Sequence, residues 1–405
     1  MNNNKIIYKN TIQKRYLNPL FNKKLNKKFL SIFNNIKINL DAPQNTLNSL
    51  SKKYRFNFKV NDLYKFKKFK TIVIVGMGGS ILGSEALYYF LKKKAKKNLL
   101  FLDNINENKL NGLKTQYNLK NILFIVISKS GHTIETLSNF FALRIVKKNS
   151  KNIIIISEKS NNPLYSLSKK MKLHHIEHKN FTIGRYSVLS EVGMVPAHLI
   201  GVNLLKFRKN LLNHFKTKNK EFLKKSSIAL ANILKKNRLN NLVFLNYVPE
   251  LEKFLYWLQQ LIAESLGKDG KGFLPLISNA PKDHHSLLQL YLDGPKDKIF
   301  YIFSNKIKND NKIKINEFDK DINFLNNKSL GLIKDAQKNS FIKVLKEKSI
   351  PFREFQIKDF EEDTLGELFS YFMLETVITG KLANINPFNQ PAVEKVKVYT
   401  KNSLT

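Results

Sequence analysis

The chain has 405 residues, 42% of them hydrophobic, with 70 Lys and Arg against 31 Asp and Glu for a formal charge of +39. That length suggests about two or three domains, and so much apolar sequence excludes a disordered chain. The absence of cysteine excludes disulfide scaffolds, Cys-ligated zinc, iron–sulfur clusters and thiol catalysis. From the N-terminus, residues 1–55 are polar and basic with scattered apolar positions, and read as one or two surface helices. Thr71–Val75 is a continuous β-branched run, hence a buried strand. Glycines follow, then a helical stretch over Ser84–Lys97. Further strands are predicted at Leu99–Leu102, Asn121–Ile127 and Ile153–Ile156, with a helix over Thr133–Lys148. Strand, turn and helix in repetition mean a parallel sheet flanked by helices.

The alternation restarts after a division near residues 205–235. Strands are predicted at Asn241–Leu245 and Lys298–Phe303, and helices over Leu251–Gly267 and Thr364–Thr379. The polar stretch Asn309–Leu325 is ambiguous, and Asn386-Pro387-Phe388 breaks the chain before a charged tail. The expected architecture is α/β: an N-terminal helical extension (1–55), two mainly parallel αβα sandwiches (56–215 and 216–380) and a C-terminal segment (381–405). The similar pattern of the halves suggests a duplicated architecture, without a convincing sequence repeat.

The charge invites a nucleic-acid partner, but two features oppose it. Only Arg15, Arg55, Arg144, Arg185, Arg208, Arg238 and Arg353 are arginines, and arginine is the fork that reads phosphate and guanine bidentately. The lysines are spread along the whole chain with abundant Asn, Ile and Phe, a mixture that AT-rich codons favour. No specific nucleic-acid partner is therefore expected, although such a surface attracts anionic small molecules. The N-terminus has no apolar signal core or small-residue cleavage site, and runs such as Ile122–Ile127 are roughly a third of a membrane span. A soluble cytoplasmic protein without a membrane partner is expected.

Five blocks carry candidate chemistry. Val75–Gly83 (VGMGGSILG) follows the first strand, where glycines let backbone N–H groups approach an anion. It fails the dinucleotide fingerprint because Ile81 stands at the last glycine position, and it fails Walker A because no Gly-Lys-Ser/Thr follows. It offers Gly79 and Ser80 to an anionic or sugar ligand; a plain tight turn is the alternative. Ser128–Thr136 (SKSGHTIET) gathers Ser128, Ser130, Thr133 and Thr136, with Lys129, at a helix start where the macrodipole is positive. A cap needs one hydroxyl and this block has four, so a phosphomonoester is expected there. In Gly184–Gly193, Arg185 survives in a lysine-saturated sequence, which hints at a fixed cationic fork against the reading of an ordinary surface arginine. In Gln259–Lys268, Glu264 lies near the end of an apolar helix with Gln260 one turn before it. It is a candidate general base, or simply a half-exposed glutamate. In Asp283–Pro295, His284 and His285 precede a helical run, as acid–base groups or as capping residues. His174, His175 and His178 lack metal-site spacing, so no metal is expected, and with the dinucleotide fingerprint failed no other cofactor is expected either.

Together the five blocks, in this order, closely resemble the glucose-6-phosphate isomerase family, built from two sugar-isomerase (SIS) domains. The similarity runs from about Thr71 to Lys397 and includes the tail block NPFNQPAVEKVK. The resemblance implies interconversion of glucose 6-phosphate and fructose 6-phosphate through a cis-enediolate. It implies Glu264 as the base, Arg185 stabilising the enediolate, and His285 and Lys397 assisting ring opening. Ser80, Ser128, Ser130, Thr133 and Thr136 would hold the phosphate with Lys129 nearby, while Gly79, Gln260 and Gln390 would orient the sugar. It also implies a homodimer whose active site takes a histidine from the neighbouring subunit. Two positions depart from the family pattern: Ile183 where a second glycine is frequent, and Ala392 where glycine is usual. The chain is also short, with a trimmed N-terminal region. A phosphomannose or dual phosphoglucose/phosphomannose isomerase, a non-catalytic SIS-type sugar-phosphate sensor, and a nucleic-acid-binding protein are the rival readings.

Overall fold

A computed structural model describes residues 5–13, 16, 19–236, 239–306, 311–315 and 320–405. Ten strands are assigned: β1 (Ile6–Asn10), β2 (Thr71–Val75), β3 (Asn98–Leu102), β4 (Ile122–Ile127), β5 (Ile153–Ser157), β6 (His174–Glu177), β7 (Asn241–Asn246), β8 (Leu274–Asn279), β9 (Lys298–Asn305) and β10 (Phe352–Ile357). The helices are α1 (Pro19–Ile38), α2 (Leu82–Phe90), α3 (Glu107–Gln116), α4 (Ile134–Ala142), α5 (Pro163–Lys170), α6 (Glu191–Leu199), α7 (Leu204–Arg208), α8 (Thr217–Lys236), α9 (Glu252–Leu266), α10 (Leu288–Asp293), α11 (Leu330–Glu347), α12 (Glu362–Leu382) and α13 (Glu394–Asn402). None of the described helices is long and apolar enough to cross a membrane.

The strands form two five-stranded sheets. The first has the order β3-β2-β4-β5-β6 and is parallel throughout. The second has the order β8-β7-β9-β10-β1, parallel except for β1, which runs antiparallel to β10 with Ile6 opposite Ile357. Up to its last strand the second order repeats the first, so the duplication expected from the element pattern is one of topology. In each sheet the chain leaves β2 or β7 to one side and then crosses to the other, creating a switch point where α/β folds receive ligands.

Side chains two apart along a strand share a face, and that rule divides the core. Ile72, Ile74, Leu123 and Ile125 of the first sheet join Leu242, Phe244, Ile299 and Tyr301 of the second in a common interior. Val73, Val75, Phe124 and Val126 face a separate outer cluster, and Val243, Leu245, Phe300 and Ile302 face another. Both faces of each sheet are therefore covered, the condition that suits continuous apolar strands such as β4 and β5. Helix α12 is buried along nearly all its length, its acidic residues Glu362, Asp363, Glu367 and Glu375 included. It carries Glu375, which pairs with fully buried Arg353 of β10 at 2.7 Å.

The N-terminal stretch corrects the reading of residues 1–55 as helical. It holds α1, but β1 completes the second sheet, and Lys5 pairs with Asp363 at 2.7 Å. The segment Ile6–Asn10 is too short for its pattern to separate strand from helix. Strands β6, β8 and β10 also escaped the sequence reading, and α2 and α4 end earlier than expected. Within the ambiguous stretch Asn309–Leu325, residues 309–310 and 316–319 lie outside the described residues, and Lys320–Leu325 forms a 3-10 turn.

Candidate active site

Strands β2 and β4 are neighbours in the first sheet, so the loops at their C-terminal ends flank its switch point. The loop after β2 continues into a 3-10 turn, Gly78–Ser80. Gly79 is buried against a second 3-10 turn, Gly184–Leu189. A Cβ on Gly79 would stand 2.2 Å from the Gly184 carbonyl carbon, so the approach requires glycine there. Ser187 Oγ donates to the Gly79 carbonyl at 3.1 Å and locks the turns together. Of the family's frequent glycine pair, this chain keeps Gly184, the one that Gly79 abuts; the Ile183 side chain packs against the core. Ser80 is half-buried on the same turn.

The second turn delivers Arg185, whose side chain is fully buried. All five of its N–H groups are engaged. Nε donates to Ser265 Oγ at 2.8 Å, and Nη1 to Glu264 Oε2 at 3.1 Å and Gln390 Oε1 at 3.0 Å. Nη2 donates to the carbonyls of Pro387 at 2.7 Å and Asn389 at 3.2 Å. Only the guanidinium fork has this donor count and geometry. Trp257 Nε1 donates to the Arg185 carbonyl at 3.1 Å, so helix α9 holds the residue from behind.

Glu264 and Gln260 are one turn apart on α9, and Gln260 Nε2 donates to Glu264 Oε1 at 2.9 Å. The Glu264 side chain is 31% exposed beside its fully buried arginine partner. Its carboxylate thus stands at a mouth with one oxygen on a cation and the other on an amide. Gln260 Oε1 is buried without a partner among the described residues, an acceptor left over for a ligand hydroxyl. This constellation unites a turn from the first half, a helix from the second and the segment before the tail.

The hydroxyl-rich block is arranged otherwise than a cap. Thr133 precedes α4 but makes no side-chain capping bond. It pairs instead with Ser128 at 2.9 Å between hydroxyl oxygens. Thr136 Oγ1 is buried and unpartnered among the described residues, and exposed Ser130 accepts from His132 N at 3.3 Å. Gly131 has φ +68°, and a Cβ there would fall 1.9 Å from Asn162 Oδ1. The start of α4 therefore keeps free N–H groups, a positive dipole end and an unsatisfied hydroxyl, a setting for an anion. Lys129 is drawn aside: its Nζ donates to the Asn180 carbonyl at 2.6 Å and lies 3.6 Å from Glu158.

His285 and Lys397 are not gathered with this group. His285 is exposed on the 3-10 turn Lys282–His285 that follows β8. Its neighbour His284 is committed to structure, bonding the Tyr247 hydroxyl at 2.9 Å and packing on Phe341. Lys397 is 61% exposed on α13 and pairs with Glu394 at 2.7 Å. Among the described residues neither His285 nor Lys397 bonds to Arg185, Glu264 or Gln260. His174, His175 and His178 turn to separate partners: Lys65, Ser157 and the Lys179 carbonyl. Burial pushes all three down to about 4.

One residue at the site was passed over in the sequence. Lys268 Nζ donates to the carbonyls of Glu264 and Ser265, each at 2.9 Å, and of Asn386 at 2.8 Å. It caps the end of α9 and ties the Glu264 turn to the same tail segment that Arg185 grips. Burial, then the Arg185 charge, lowers its ammonium to about 8. The signal was legible, since a lysine just past a helix end commonly answers the last carbonyls.

Two doubly wound sheets sharing one core, each flanked by helices, define an α/β protein of the SIS fold. Solved structures share this fold. A hypothetical protein of Thermus thermophilus aligns with TM-score 0.80 at 22% identity, covering 98% of this chain and 100% of that one. A glucose-6-phosphate isomerase of Chlamydia trachomatis aligns with TM-score 0.78 at 17% identity, covering 99% of this chain and 88% of that one. Sequence similarity goes further. The glucose-6-phosphate isomerase of Methanocaldococcus jannaschii is 32% identical over 355 residues, 83% of this chain and 85% of that protein. That of Campylobacter jejuni is 34% identical over 361 residues, 83% of this chain and 85% of that protein. The phosphoglucose isomerase family model matches residues 35–404, and the chain belongs to that family.

Proposed function

We propose that this protein interconverts glucose 6-phosphate and fructose 6-phosphate. The observation that carries the reading is the Glu264 carboxylate, held between Arg185 and Gln260 at the mouth of the site. With the aldose open, Glu264 takes the C2 proton, and the electron pair moves into the C1–C2 bond as the aldehyde oxygen becomes the enediolate oxyanion. The new carboxylic acid returns the proton to C1, and a proton moving from O2 to O1 completes the ketose. Positioned proton transfer of this kind contributes on the order of 10²–10⁴-fold. Arg185 holds the base in place and puts a desolvated positive charge beside the developing oxyanion. Because its five donors are already engaged, the substrate oxygen takes over one Nη1 bond, from Gln390 or from Glu264 as that group becomes protonated.

Ser80, Ser128, Ser130, Thr133 and Thr136 receive the phosphate at the start of α4, and the field of Lys129 adds to theirs. Gly79 lets the backbone approach, and Gln260 and Gln390 orient the sugar hydroxyls. Ring opening falls to His285 and Lys397, which stand apart from Glu264 in a single chain. A cytoplasmic homodimer resolves this, with His285 of the partner subunit entering the site. Helix α13 supports association: it has nine residues, all exposed, with Val396 and Tyr399 each 67% exposed. Isolated helices that short are marginal in water.

The test is coupled-assay turnover of fructose 6-phosphate by the purified protein, beside Glu264→Gln. The wild type should turn over, and the variant should lose about 10²–10⁴-fold in kcat while still binding the phosphosugar. A wild type that binds phosphosugar without turnover would make it a sensor and overturn the reading.

A further inference from the structure

At the opposite end of the first sheet, a second cavity has no part in this chemistry. The connections entering β2, β4 and β5 line a half-open cavity of about 960 Å³, the size of a small-molecule site. Six of its 18 lining residues are cationic (Lys68, Lys70, Lys120, Arg144, Lys147 and Lys151) and none is acidic. The whole chain has 70 cationic and 31 acidic residues in 405, so the lining is about twice as rich in cations as composition provides. None of the six forms an ion pair among the described residues, whereas Lys94 and Lys206 elsewhere each reach two glutamates.

The walls are fixed, while the charges have no counter-ion among the described residues. Asn152 Nδ2 donates to the carbonyls of Leu119 and Ile122 at 3.1 and 2.9 Å, stapling the entrance of β4 to that of β5. Ser150 Oγ donates to the Lys147 carbonyl at 2.8 Å. Arg144 sits just past the end of α4 with φ +54°. A non-glycine residue is disfavoured there, and glycine or asparagine is the usual occupant. In a chain rich in asparagine an arginine stands there instead, exposed and without a side-chain hydrogen bond among the described residues. Capping accounts for only part of this charge. The ends of α3 and α4 lie here, and each contributes roughly half a negative charge, about one in total against six positive.

We propose that this cavity binds a small polyphosphate, of the class of a nucleoside triphosphate, at a site separate from the isomerase centre. A single phosphomonoester carries about two negative charges and would leave most of the cations unmatched. Three linked phosphates come close to balancing the net charge, and Tyr117 supplies an aromatic wall. The strands between the two sites have five or six residues, so the sheet separates them by roughly 17–20 Å.

The test is titration calorimetry of the full chain with inorganic tripolyphosphate and with a nucleoside triphosphate, at physiological salt and with saturating fructose 6-phosphate to occupy the isomerase centre. The combined variant Arg144→Asn, Lys147→Gln, Lys151→Gln should weaken binding at least tenfold and leave isomerase turnover in the absence of polyphosphate unchanged. The charge-matched variant Lys23→Gln, Lys27→Gln, Lys37→Gln on α1 should bind as the wild type. Equal losses in the two variants would reduce the effect to overall charge and overturn the proposal. So would an absence of binding, or binding of a single-stranded oligonucleotide alone with a steep salt dependence. Isomerase turnover is read separately, so failure here leaves the activity standing, and failure of the activity leaves this cavity to be judged by its own titration.

Discussion

Replacing Gly79 with alanine tests whether the two turns beneath the site are in register with its chemistry. The new methyl would meet the Gly184 carbonyl carbon at 2.2 Å, its oxygen at 2.3 Å and Arg185 N at 2.6 Å. All three are backbone atoms, so no side chain can swing away. Restoring ordinary contact means opening the turns by about 1 Å, against the Ser187–Gly79 bond that holds them. Overpacking of this kind costs about 1–3 kcal/mol. The displaced turn carries Arg185, one of whose five bonds holds Glu264, and a 1 Å misplacement near a reacting group costs on the order of 10²-fold. Denaturant unfolding should show the stability loss, and the coupled isomerase assay a fall in kcat of about two orders of magnitude. Gly112→Ala is the control: it lies in α3 with nothing within 4 Å of a Cβ, and it should stabilise by about 0.5–1 kcal/mol without touching turnover. A Gly79→Ala protein with full kcat and unchanged stability would refute the reasoning.

Other perturbations bear on the same architecture. Arg185→Lys offers three donors where five bonds are now made, so at least two are lost, at about 0.5–1.5 kcal/mol each. It should lower both the unfolding free energy and kcat/KM, and a variant retaining wild-type kcat/KM would remove Arg185 from the mechanism. Glu375→Ala strands the Arg353 charge in the core and should cost about 3–5 kcal/mol in denaturant unfolding; a loss under about 1 kcal/mol would show that the pair is dispensable. Hydrogen bonds from Lys206 and Lys94 hold Glu361 at about 2 instead of the usual 4.5. Its folded value is depressed, so its contribution is complete above pH 4.5 and fades as pH falls from 4.5 toward 2. Thermal unfolding across that window should show a shallower acid decline for Glu361→Gln than for the wild type, and parallel curves would contradict the pairing.

Much of the candidate site was written in local sequence, because each block lies on one short element. The β-branched and aromatic enrichment of Thr71–Val75 and Ile122–Ile127 favours buried strands, and the glycines and hydroxyls after them then fall at strand ends. Gln260 and Glu264 share a face of α9 because of helical spacing alone. The family pattern, too, is a property of order along the chain.

What needed the tertiary structure was every relation between distant residues. No local signal brings Arg185 to Glu264, Ser265 and the carbonyls of Pro387 and Asn389, because three separate segments must pack before the fork has partners. Ile6–Asn10 becomes a strand only because β10 presents an open edge. Buried Arg353 is tolerable only with Glu375 of α12 opposite it, and the alternating Phe352–Ile357 reads as a strand once that pair is known. The apartness of His285 and Lys397 from Glu264 was equally invisible. Sequence spacing fixes periodicity within an element, whereas the meeting of elements is decided by which faces can be buried together.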